Sequence, residues 1–124
     1  MGNTHFSGPV VSTAGFTGDL TGLVFGGKDS INASGAIPVT SLFTVVGPDG
    51  SAGSAATALT LANGTAGQMK VLKYQDGTAT TNAVVTPANL VGYSTLTFNL
   101  KSEYAILISD GSSWHVVVST ATLG

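Results

Sequence analysis

The chain has no cysteine and no arginine, and it carries little charge of either sign. Four Lys and six acidic residues in 124 give a formal net charge of −2. Without cysteine there is no disulfide framework, no thiolate metal site and no cysteine nucleophile. Without arginine and with an acidic balance, a groove built on phosphate contacts is not expected, so nucleic acid is not an expected partner. Ser, Thr and Gly interrupt every apolar run well short of the ~18 residues of a membrane helix, so no membrane is expected either. Met1-Gly2-Asn3-Thr4-His5-Phe6 lacks a basic n-region and an apolar h-region, and Phe6 stands where a myristoylation signal wants Ser or Thr. Charged residues make up 8% of the chain, against about 25% in an average soluble domain. With 43% hydrophobic residues, either Ser and Thr hydroxyls solvate the surface or other subunits cover it. The composition leans toward a part of an assembly.

Two regions differ in texture. Residues 1–35 read as an extended Gly/Thr-rich N-terminal arm, with Gly15-Phe16-Thr17-Gly18 and Asp19-Leu20-Thr21-Gly22 as a degenerate repeat. Glycines at this density disfavour both a helix and a long strand. Isolated apolar side chains on such an arm (Phe6, Val10, Phe16, Leu20, Phe25) need a neighbour to pack against.

Residues 36–124 read as a β-domain. Strands are expected over Ile37–Val46, Thr57–Ala62, Gln68–Tyr74, Asn82–Thr86, Thr95–Leu100, Tyr104–Ser109 and Trp114–Ser119, with one helical turn at Ala88-Asn89-Leu90. Gly47-Pro48-Asp49-Gly50, Asn63-Gly64, Asp76-Gly77 and Asp110-Gly111-Ser112-Ser113 punctuate them as turns. This spacing predicts an all-β fold, a compact sandwich or a jelly-roll or tulip-like barrel. In the last two strands both faces are largely apolar, so each is expected to sit centrally in a sandwich or to have a second layer over it. That layer is expected to be another subunit, with Tyr104, Ile106, Trp114 and Val116 at a homo-oligomer interface.

Catalytic patterns are weak. Gly22-Leu23-Val24-Phe25-Gly26-Gly27-Lys28 fits seven positions of a phosphate-binding loop, but Asp29 replaces the hydroxyl residue and no helix pattern follows. Asp49, Asp76 and Asp110 each precede glycine, the turn role of Asp, and only Glu103 lacks such an explanation. His5 and His115 are too few for a zinc site within one chain, though a three-fold axis would bring three copies of one histidine together. No Gly-x-Ser-x-Gly elbow is present. The reading is therefore a non-enzyme with no catalytic residue, no cofactor and no metal.

Two stretches carry a resemblance. His5-Phe6-Ser7-Gly8-Pro9-Val10-Val11-Ser12 with Gly15-Phe16-Thr17-Gly18 resembles the N-terminal arm of small bacteriophage virion proteins. The stretch from Asn63-Gly64-Thr65-Ala66-Gly67-Gln68 through Val85-Thr86-Pro87-Ala88-Asn89-Leu90 and Thr95-Leu96-Thr97-Phe98 to Asp110-Gly111-Ser112-Ser113-Trp114-His115-Val116 is similar to a β-domain of tailed-phage head decoration (cement) and fibre-type proteins. The resemblance implies a homotrimer on the outer surface of the virion capsid. It would bind the major capsid protein, with His5, Phe6, Pro9, Val10, Val11, Phe16 and Leu20 as the capsid-binding arm. The alternatives are a trimeric tail-fibre or tail-spike module, and a carbohydrate-binding β-sandwich that stacks sugars on Trp114 and the tyrosines.

Overall fold

A computed structural model describes residues 27–47, 56–75 and 82–124. The described chain is all-β, with ten strands: β1 (Lys28–Ile31), β2 (Gly35–Ile37), β3 (Phe43–Val46), β4 (Thr57–Leu61), β5 (Met69–Tyr74), β6 (Ala83–Pro87), β7 (Leu96–Phe98), β8 (Tyr104–Ser109), β9 (Trp114–Ser119) and β10 (Thr122–Leu123). They form two five-stranded sheets, β1-β3-β5-β8-β9 and β10-β7-β6-β4-β2. The sheets pack on each other as a sandwich, so of the two architectures expected it is the sandwich that forms.

The first six strands do not pair as successive hairpins. They alternate between the sheets, and β1, β3 and β5 pair in parallel, as do β2, β4 and β6. The chain thus winds through three turns of a flattened coil, each turn laying one strand on each sheet. Antiparallel strands then complete both sheets, with β8 and β9 on one and β7 and β10 on the other. The Ile37–Val46 stretch shows why. Its apolar residues do not form one strand but two short ones, on opposite sheets, joined by a crossing segment at 38–42.

That crossing is tied down from below. Lys70 is wholly buried on β5 and donates from Nζ to the Pro38 carbonyl (2.6 Å), the Ser41 carbonyl (2.7 Å) and Ser41 Oγ (3.0 Å). The Gln68 side-chain amide donates to the Val39 carbonyl. A buried ammonium is tolerated because these acceptors replace its water.

Among the described residues the first strand starts at Lys28, inside the segment expected to be arm, where β1 adds in parallel to β3 and β2 to β4. The 35/36 boundary therefore falls within the sandwich. The arm residues His5, Phe6, Pro9, Val10, Val11, Phe16 and Leu20 lie outside the described residues, as do Asp19, Pro48-Asp49-Gly50 and Asp76-Gly77. At Ala88-Asn89-Leu90 no helical turn forms. The segment runs along the start of β9 instead, where Trp114 donates its N–H to the Asn89 carbonyl (2.8 Å) and Val91 donates to the Trp114 carbonyl (3.0 Å).

Between the sheets lies the core: Ile37, Leu59, Leu61, Val85, Leu96 and Phe98 from one side, Val46, Leu72, Tyr74, Ala105, Leu107 and Trp114 from the other. Tyr74 and Phe98 meet across it with ring centroids 6.3 Å apart. Burying a large apolar side chain of this kind contributes about 1.5–3 kcal/mol.

Candidate functional site

Side chains alternate across a strand, so each sheet has one face toward the core and one away from it. The two outward faces differ sharply. On the β2-β4-β6-β7-β10 sheet the outward positions are Ala36, Ala58, Thr60, Val84, Thr86, Thr97 and Thr122. Small residues and hydroxyls make it a face that water can solvate.

The β1-β3-β5-β8-β9 sheet presents three rows across its strands. The central row runs Lys28, Phe43, Val71, Ile106, Val118. On one side lie Ser30, Val45, Lys73 and Tyr104, and on the other Met69, Ile108 and His115. Met69 is 43% exposed, Val118 40% and Tyr104 37%, while Phe43, Val45, Val71, Ile106 and Ile108 are half-buried. Val117 stands out at a register shift between β8 and β9 and is 59% exposed. Charge on this face is confined to Lys28 on the edge strand, Lys73 in a flanking row and the His115 margin. Contiguous apolar patches larger than a few hundred Å² are uncommon on monomers and mark contact surfaces.

The four residues expected at a subunit interface separate onto opposite faces. Tyr104 and Ile106 lie on the outward apolar face. Trp114 and Val116 point inward, because the antiparallel register pairs them with Ser109 and Leu107. Trp114 is wholly buried within its own chain. Its indole N–H donates to the Ala62 carbonyl (2.9 Å), and its ring lies so close to Gly64 that a Cβ there would sit 2.8 Å from Cζ2 and Cη2. It is thus a core residue, unavailable both to a neighbouring subunit and to a sugar-stacking platform. Met69, Val71, Phe43, Ile108 and Val118 were not singled out from sequence. In Met69-Lys70-Val71-Leu72-Lys73-Tyr74 each parity carries a lysine, so charge did not distinguish the outward Met69 and Val71 from the inward Leu72 and Tyr74.

The polar residues have local work. Asp110 Oδ1 accepts from the Ser112 and Ser113 N–H groups (2.8 and 2.7 Å), shaping the β8–β9 turn, and Oδ2 meets His115 Nε2 at 2.8 Å. The bond to His115, joined by the two backbone N–H groups, pulls the Asp110 carboxyl down to about 2. Glu103, which lacked an explanation in the sequence, proves to be a turn residue as well. Its Oε2 accepts from the Asn99 and Leu100 N–H groups (2.6 and 3.0 Å) and so holds the β7–β8 connection. Lys28 and Asp29, at the end of the phosphate-loop-like stretch, lie in a strand rather than at the head of a helix. No group of three or more metal-ligating side chains occurs among the described residues. A comparison with known proteins finds no matching family model, no matching curated protein and no matching solved structure.

Proposed function

We propose that the chain is a structural protein of a tailed-phage particle, a homotrimeric decoration (cement) protein that binds the outside of the assembled head and bridges major capsid proteins. The observation that carries this reading is the asymmetry of the sandwich. One outward face is threonine-rich and wettable; the other is a broad apolar surface whose charge is limited to Lys28, Lys73 and the His115 margin. A chain built this way is suited to being a covered part of an assembly. The phage assignment itself rests on the resemblance of the arm and of the turn-rich stretches to virion proteins.

The mechanism is physical. A trimer that touches several capsid subunits gains avidity, because once one contact forms the rest become intramolecular. Arm residues Phe6, Val10, Val11 and Phe16 would bury apolar surface against capsid subunits at about 25 cal/mol per Å². A protein that binds only the assembled shell stabilises it by mass action.

The coil of parallel strands favours a second reading, a module of a tail fibre or spike, because stacked turns extend readily along one axis. Copy number separates the two. Mass spectrometry of purified particles that carry this protein, measured against the major capsid protein, is expected to give copies on the scale of the capsid lattice. A few copies per particle would move the chain to the tail, and absence from the particle would refute both readings.

A further inference from the structure

We propose that the outward face of the β1-β3-β5-β8-β9 sheet is the self-association surface of this chain, closing against the same face of other copies around the trimer axis. The inference rests on the homotrimer reading above and assigns that contact to particular residues.

Size is the first argument. Five strands at about 4.8 Å spacing, with outward side chains about 7 Å apart along each strand, make a face of roughly 20 by 17 Å. Its accessible area, on the order of 500 Å², supplies most of the roughly 800 Å² per partner that a standard stable contact buries. The exposed Val117 extends it.

The kind of surface decides between occupants. Contacts between identical subunits are more apolar than contacts between proteins that also exist apart. Here Phe43, Val71, Ile106 and Val118 form an unbroken apolar row across four strands. No acidic residue stands on the rows to pair with a basic partner. Lys28 lies on the edge strand, and Lys73 in a flanking row can lay its stem along apolar surface while its amine reaches water. His115 is engaged by Asp110 at the opposite margin. Among the described residues the threonine-rich face of the other sheet suits solvent, which leaves the β1-β3-β5-β8-β9 face as the apolar one to hide.

Light scattering on the full chain after size-exclusion chromatography tests this. Three copies of the 12.3 kDa chain give a mass of about 37 kDa. Ile106→Asp in the central row is expected to reduce the mass threefold, to that of a monomer. Val118→Asp, on an edge strand and already 40% exposed, makes the same test with less risk to the fold. Thr86→Asp, on the outward face of the other sheet, is expected to leave the trimer intact. Circular dichroism should report the same β-structure in all of them. A wild-type chain that stays monomeric at high concentration overturns the inference, as does a trimer unmoved by both Ile106→Asp and Val118→Asp. A dimer broken by Ile106→Asp overturns the three-fold arrangement. The decoration reading fails or survives separately: a monomer present at lattice copy number keeps it, and a trimer broken by Ile106→Asp but absent from particles refutes it.

Discussion

Trp114→Ala tests the division between the inside and the outside of this sandwich. The indole is wholly buried, and truncating such a residue costs about 3–5 kcal/mol in lost transfer energy and residual cavity. The hydrogen bond from Nε1 to the Ala62 carbonyl at 2.9 Å adds about 1 kcal/mol. Collapse into the vacancy is limited, because residue 64, which lies against the ring, is a glycine with no side chain to move in. The expected loss is therefore about 5 kcal/mol, comparable to the whole stability of a marginal domain. At about 3–5 °C per kcal/mol for a chain of this length, the melting temperature should fall by about 15–25 °C. Thermal denaturation followed by circular dichroism reads the shift. Trp114→Phe, which keeps one ring but loses the donor, should recover about half of it. A melting temperature within about 3 °C of wild type, with dissociation into folded monomers, would refute the reasoning. That result would mean the indole lies on the surface, at a subunit contact.

Gly64→Ala should destabilise the fold by about 1–3 kcal/mol through overpacking, since its Cβ would meet Gln68 Oε1 at 2.7 Å and the Trp114 ring at 2.8 Å; chemical denaturation measures it. Burial pulls the Lys70 amine from 10.5 down to about 8, with Asp29 pulling the other way. Between those values the unfolded chain binds the extra proton, so stability should rise with pH from about 8 to about 10.5; Lys70→Met should remove that rise from urea titrations at stepped pH. Glu103→Ala leaves the Asn99 and Leu100 N–H groups without their carboxylate and should cost about 1–2 kcal/mol in the same assay, with no change in oligomeric mass. Deleting residues 2–22 should leave a folded trimer that no longer sediments with capsids, and undiminished binding would place the capsid contacts in the sandwich.

Strands with strong alternation and a turn at each end were legible. Thr57–Leu61, Met69–Tyr74, Tyr104–Ser109 and Trp114–Ser119 lie where their residue pattern puts them. Partner choice was not legible, because period-two alternation says which side chains share a face but not which strand lies alongside. The parallel coil arises because successive strands alternate between sheets, and the crossing at 38–42 is held by Lys70 and Gln68, 29 to 32 residues away in sequence. The same limit explains the mixed set of interface residues. Both parities of Trp114–Ser119 are apolar, so sequence could not say which parity faced the core. The register with β8 sends Trp114 and Val116 inward, and the shift at Val117 turns Val118, of the same parity, outward beside Ile106. Glu103 gave no signal because its turn closes backwards onto Asn99 and Leu100 rather than forward onto a glycine.

The most direct test of the central claim is hydroxyl-radical footprinting of the assembled full chain beside its Ile106→Asp variant. Met69 and Tyr104 stand on the apolar face, while Tyr93, 47% exposed on the loop after β6, serves as the internal control. The account predicts that Met69 and Tyr104 are protected in the wild type and oxidised in the variant, with Tyr93 labelled equally in both. Equal oxidation of Met69 and Tyr104 in the two proteins would contradict it, because the apolar face would then be open to water in the assembled state.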